Sequence, residues 1–291
     1  MSARLRSLWR DTAPATLARV DEFLVHLNRV LGTSGGIQSL CYTVAFTLMF
    51  VHARLVKVLE RRYERLALAL AEKASKAMLP GETVLATIEP PKTLLSQTCA
   101  GTKALSDLIV DFTFFMRLWG LVGIYNWARD NYLHPPGDAI LKLLVWAQVV
   151  ASTSFQTLEN GAYLAGKGVL RGDLWDRRRA KWDLWSNRCW CAQVVLEGLR
   201  LLRVRQLRYN EDFGAKAEGE GSGIQAQSEE LKQKWKREWY ANAGWFSLTL
   251  QWSFEDQSQG PVSDSWIALS GFMSSAVGLR QIWADTADVQ S

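Results

Sequence analysis

The chain alternates apolar runs that fall short of a clean membrane span with charged, amphipathic stretches at helical spacing. From Val30 to Ala53 there is no Asp, Glu, Lys or Arg, and Ile37 to Val51 is strongly apolar, but Gly32, Gly35 and Gly36 break the first third of this stretch. Leu143 to Leu158 gives 16 uncharged residues and Ser265 to Leu279 gives 15. A spanning helix wants about 20 apolar residues, so each run reads as a short span, a half-inserted helix or a buried core helix. Almost everything with periodicity repeats at helical spacing. The fold class expected is all-α, a membrane-associated helical bundle with amphipathic helices and a C-terminal hydrophobic helix.

The clearest element is Arg54 to Leu79, ended by Pro80-Gly81. At about 100° per residue, Leu55, Leu59, Tyr63, Leu66 and Leu70 share one narrow face, while Lys57, Glu60, Arg61, Glu64, Arg65 and Glu72 take the other side. Seven basic and three acidic residues put most of the chain's net charge of +5 here. Two readings of that face stay open: it packs inside a bundle, or it sinks into one leaflet with Lys57, Arg61 and Arg65 at lipid headgroups.

Around this element, Leu17 to Leu31 predicts a helix ended by Gly32, and 80–103, with three prolines, reads as loop-like. A helical hairpin is expected over 105–132 and 138–158 about a Pro135-Pro136-Gly137 turn. Trp182, Trp185, Cys189, Ala192, Leu196 and Leu199 follow the 3-4 spacing of a packed seam. The polar, Gly-rich stretch 210–230 reads as a flexible loop. The chain thus divides into a helical membrane-associated region (1–209), that loop, a Trp/basic helix with a C-terminal membrane segment (231–284) and a short tail (285–291).

Tryptophan is the compositional outlier, at 14 residues, and indoles concentrate where one end of the ring is apolar and the other wet. Trp235 and Trp239 interleave with Lys and Arg, and Trp266 and Trp283 lie near the two ends of the last apolar run. These four are candidate interfacial anchors, with capping of a bundle as the alternative. A net charge of +5 over 291 residues lacks the concentrated basic stripe of a nucleic-acid binder. The N-terminus has no apolar core of a secretory signal, and the four cysteines read as reduced.

Chemistry is not expected of this chain. Gly161 to Gly168 misses a phosphate-binding loop, because Gly168 stands where Ser or Thr must hold Mg²⁺. Cys189-x-Cys191 has no second ligand pair for zinc, and His26, His52 and His134 are too scattered for a nucleophile pair. No catalytic residue, metal ligand or cofactor is assigned.

Several stretches together resemble the peroxisomal biogenesis factor 11 family, closest to its gamma-type or fungal C-type branch. They are Leu17-Ala-Arg-Val-Asp with Asn28-Arg-Val-Leu31, Asp107-Leu-Ile-Val-Asp111 through Arg117-Leu-Trp-Gly120, and Leu158-Glu-Asn-Gly through Leu170. Lys181-Trp-Asp-Leu-Trp-Ser-Asn-Arg-Cys-Trp190 and Ser265-Trp through Leu279 with Trp283 complete the set. The usual Gly-Arg-Asp-Lys-like run of the family's N-terminal helix is replaced by Val20-Asp-Glu-Phe23.

The resemblance implies a peroxisomal membrane protein, not an enzyme, that elongates the phospholipid membrane before fission through an amphipathic helix matching Arg54–Leu79 in type and place. It also implies homo-oligomers or contacts with other family members, and work beside dynamin-related fission machinery. Two alternatives stand beside it. A metabolite channel would need polar residues lining a pore, and the uncharged runs show no repeated polar stripe. A peripheral α-helical interaction protein would bind partners through its Trp-rich surface.

Overall fold

The computed structural model describes residues 15–77, 92–217, 222–256 and 260–287, and among them every regular element is helical. In chain order the helices are α1 (Ala15–Leu31), α2 (Ser34–Ala77), α3 (Leu94–Met116), a 3-10 turn (Arg117–Trp119), α4 (Gly120–Leu133), α5 (Ala139–Gly166), α6 (Asp173–Ala217), α7 (Ser222–Trp252) and α8 (Asp264–Ala287). The all-α class expected from the periodicity is the class observed.

The expected boundaries shift in four places. The apolar run 37–51 and the amphipathic stretch from Arg54 are one continuous helix, 44 residues and about 66 Å long, because the change from apolar to charged composition at Ala53-Arg54 does not interrupt helical backbone. Residues 78 and 79 lie outside the described part. Of the loop expected over 80–103, the part from Leu94 is helix: Thr93 and Ser96 form a reciprocal capping box that satisfies two free N–H groups. Arm two of the hairpin runs on to Gly166, stopped by Gly168 at φ +71°, and Gly172 at φ +106° leads into α6. The loop expected over 210–230 is helical up to Ala217 and again from Ser222, since its Ala, Gln, Glu and Lys are good helix formers; 218–221 lie outside the described residues.

Packing is pairwise antiparallel, and named contacts fix each register. The Ser106 hydroxyl donates to the Ala45 carbonyl and the His52 ring meets the Cys99 carbonyl, which sets α3 against α2. Gly271 lies directly on the Phe46 ring, and Gly278 and Gly35 face Ser39 and Ile282, which sets α8 against α2 through small residues. Ser274 donates to the Ala241 carbonyl across α7 and α8. Asn242 and the Trp235 indole donate to the carbonyls of Val194 and Leu201 across α6 and α7. Gly161 receives the Trp182 ring and Asp138 holds Arg203, which ties α5 to α6.

The core collects aromatic rings where these helices meet. Phe46, Leu248 and Ile267 are buried, with Tyr42, Met49, Trp245 and Trp252 packed on them. Trp190 bridges Trp245, Trp252 and Phe155 at centroid distances of 5.6, 5.8 and 5.5 Å. Three of the tryptophans are thus core rings whose burial alone is favourable by roughly 25 cal/mol per Å².

Candidate membrane-contact site

Among the described residues, three helical stretches are long and apolar enough to cross a membrane by length and composition: Ser34–Ala74, Leu94–Leu133 and Ala139–Gly166. In two of them elements join: the α2 apolar run continues into its charged neighbour, and α3 continues through the 3-10 turn into α4. The C-terminal helix α8 is not among them. Its Ile267, Ala268, Ser270, Gly271, Ser274 and Ser275 are buried, so its small-residue face serves the bundle.

The distal part of α2 is where the geometry is distinctive. Extending the 45/106 and 52/99 pairings, α3 begins opposite about residue 57 of α2. By the Phe46–Gly271 pairing, α8 begins opposite about residue 53. Beyond these points α2 runs on for about 20 residues, some 30 Å, past the ends of both helices. Leu55, Leu59 and Tyr63 are half-buried, whereas Leu66 is 45% and Leu70 48% exposed. Lys57, Arg61 and Arg65 are exposed. The apolar face therefore starts at the edge of the bundle and becomes open along the helix.

The four tryptophans separate. The Trp235 ring stacks on Trp239 at 5.4 Å, lies under the Arg205 guanidinium at 4.9 Å, and its indole N–H is used by the Leu201 carbonyl at 2.7 Å. Trp283 packs on Phe23 and His26 of α1, and the His26 Nε2 lies 2.9 Å from the Trp283 carbonyl oxygen. Trp266 stands 53% exposed.

A polar seam inside the helices escaped the sequence reading. On α5, Gln148, Ser152, Gln156 and Asn160 recur every four residues, with Glu159 beside the last. That repeat is a polar stripe, within the very run described above as lacking one. Arg117, in the 3-10 turn, donates twice to Glu159, at 2.9 and 2.6 Å, and both side chains are almost fully buried. The Asn160 amide donates to the Leu118 carbonyl, and the Gln148 amide to Glu197, which itself holds Arg200 in a two-bond fork. Gly120 makes room for the Gln156 amide. Among the described residues no group of His, Cys, Asp and Glu is arranged to hold a metal ion.

Long apolar helices, an amphipathic extension and a small-residue bundle define a helical membrane protein. The family model for peroxisomal biogenesis factor 11 (PEX11) matches residues 105–283, more than half of the sequence, and the chain belongs to this family. No curated protein and no solved structure matches it. The match begins midway along α3 and runs into α8 as far as Trp283, and leaves α1 and α2 outside. It is accordingly a peroxisomal membrane protein with a role in peroxisome proliferation and biogenesis, in a family of biogenesis factors and not of enzymes.

Proposed function

We propose that this protein elongates the peroxisomal membrane by laying the distal part of α2 in its cytosolic leaflet. What supports the reading is the way α2 outruns both of its partners while its apolar face stays continuous: Leu55, Leu59, Tyr63, Leu66 and Leu70 lead from the bundle edge outward. An apolar face of this kind sinks about 5–10 Å, to the headgroup–acyl boundary. Lys57, Arg61 and Arg65 then meet anionic headgroups, each for about 1 kcal/mol at most, which helps adhesion but does not anchor alone. The bundle supplies the anchor, with its helix axes inclined towards the membrane plane, as a continuous α2 requires. Area added to one leaflet favours curvature, and Trp266 and Trp239 are the interfacial rings we assign to the same surface, with Trp235 and Trp283 bracing them from within.

Self-association, contacts with other family members and work beside dynamin-related fission machinery belong to this proposal, as does placement in the gamma-type or fungal C-type branch. The channel alternative draws on the α5 polar stripe, but Glu159 is held by Arg117 and the Gln148 amide by Glu197, so these groups serve packing. The test is Leu66→Glu with Leu70→Glu in the full chain. Both side chains are open, so the variant should melt like the parent, reach peroxisomes and fail to elongate them on raised expression. Normal elongation by that variant would sink the proposal.

A further inference from the structure

Between α3, α5 and the start of α6 lies a cleft of about 640 Å³, within the range of small-ligand sites. Its floor is Glu159, already held by Arg117. One wall is a pair of stacked rings with a cation at each end. The Arg117 guanidinium lies 4.6 Å from the Phe114 ring, Phe114 stacks on Tyr163 at 5.8 Å and 11°, and the Lys167 ammonium lies 5.5 Å from Tyr163. Lys167 also pairs with Asp111 at the rim. The Arg117 and Lys167 cations are thus held in place by a stiff wall.

The opposite rim is α6, with Asp176, Arg179 and Asp183 on one face. Arg179 and Asp183, four residues apart, stand about 5–6 Å from each other at Cβ, yet they form no ion pair in the structure. The reason is Gly166. Without a side chain there, the Arg179 guanidinium lies over Gly166, within about 3.2 Å of where a Cβ would be, at the C-terminal end of α5, which carries partial negative charge. Asp183 is left without a salt-bridge partner among the described residues. Although Asp183 is open to solvent as a residue, desolvation by its surroundings raises its carboxyl above the ordinary value, with Arg179 acting in the other direction.

Along α6, the residues that line the cleft are interspersed in sequence with Trp175, Trp182, Arg177, Arg178 and Lys181. Aromatic and basic residues mix in this way at a membrane–water interface. A single metal ion does not fit the rim, since Asp176 and Asp183 are about 10 Å apart along the helix and no group of His, Cys, Asp and Glu among the described residues is arranged to hold one. A ligand with both signs of charge a short link apart does.

We propose that this cleft binds an ammonium–phosphate zwitterion, the headgroup chemistry of phosphatidylethanolamine and phosphatidylcholine, with the ammonium at Asp183 and the phosphate at Arg179 and Lys167. The site is separate from distal α2 and does not depend on its insertion. The full chain in a mild non-ionic detergent is titrated by calorimetry with short-chain phosphatidylethanolamine, with phosphatidylglycerol of the same chains, and with glycerophosphoethanolamine. Phosphatidylethanolamine should bind about tenfold tighter than phosphatidylglycerol, as expected for one charge-assisted contact. Asp183→Asn should abolish that preference, and Arg179→Gln should weaken both lipids, with lipid-free melting unchanged. Glycerophosphoethanolamine binding as tightly as the lipid would keep the site and identify a soluble source of the same chemistry. Equal affinity for the two lipids in the parent protein, or an unaltered preference in Asp183→Asn, would overturn the assignment.

Discussion

Arg117 and Glu159 show how much a single buried pair controls. Both charges are almost out of water, and desolvating each is expensive unless the other is present. Glu159→Ala leaves a buried guanidinium without its carboxylate, so unfolding in detergent should lose roughly 3–5 kcal/mol. Arg117→Met with Glu159→Leu removes both charges and should recover most of that loss; if the double variant is as unstable as the single one, the pair is not the cause. Asp138 is the second residue with a readable signature. It caps α5 through the Leu141 amide and grips Arg203, and the Arg203 hydrogen bond, with the capping bond second, holds its carboxyl at about 2, below its ordinary 3.8. A depressed carboxyl contributes its stability above the unfolded value and loses it as pH falls through the folded one. Melting should therefore drop between about pH 4 and pH 2, and Asp138→Asn should flatten the curve in that window.

At the scale of elements, small residues decide which helices touch. The Cβ of an alanine at 161 would enter the Trp182 ring, so Gly161→Ala forces α5 and α6 apart. Overpacking of this kind costs about 1–3 kcal/mol, and chemical denaturation should show a loss in that range, whereas Gly123→Ala, with open space around it, should be neutral or slightly stabilising. The sequence made helix type legible wherever apolar spacing repeated: Leu17–Leu31, the 105–158 hairpin and the face of Leu55, Leu59 and Tyr63 could all be read. It did not reveal that α2 is continuous, because composition changes at Ala53-Arg54 while backbone propensity does not. Pairing was also hidden, since which glycine receives which ring is set by tertiary contacts. Attention to charge masked the α5 stripe, where Gln, Ser and Asn at four-residue spacing were the available signal.

On the scale of the whole molecule, a helix in one leaflet bends a membrane only if something holds it there and sets its direction. Here α2 is fixed by α3 and α8 through its first half, and the same rigid backbone carries the second half outward. Orientation in the leaflet then follows from the bundle and does not have to be found by a free peptide. A break between the halves separates these roles. Val58 is 42% exposed and lies just past the ends of both partner helices, so Val58→Pro leaves the bundle contacts intact. Proline there removes a helical hydrogen bond and kinks or breaks the helix, at about 3 kcal/mol locally. The proximal bundle should keep its melting temperature and its peroxisomal location, and the distal segment should keep its affinity for anionic vesicles, since its face is unchanged. Elongation should nevertheless fall steeply, with Val58→Ala as the control that behaves like the parent. Full elongation by Val58→Pro would mean that the distal segment acts as an independent membrane-binding peptide, and that rigid coupling to the bundle plays no part.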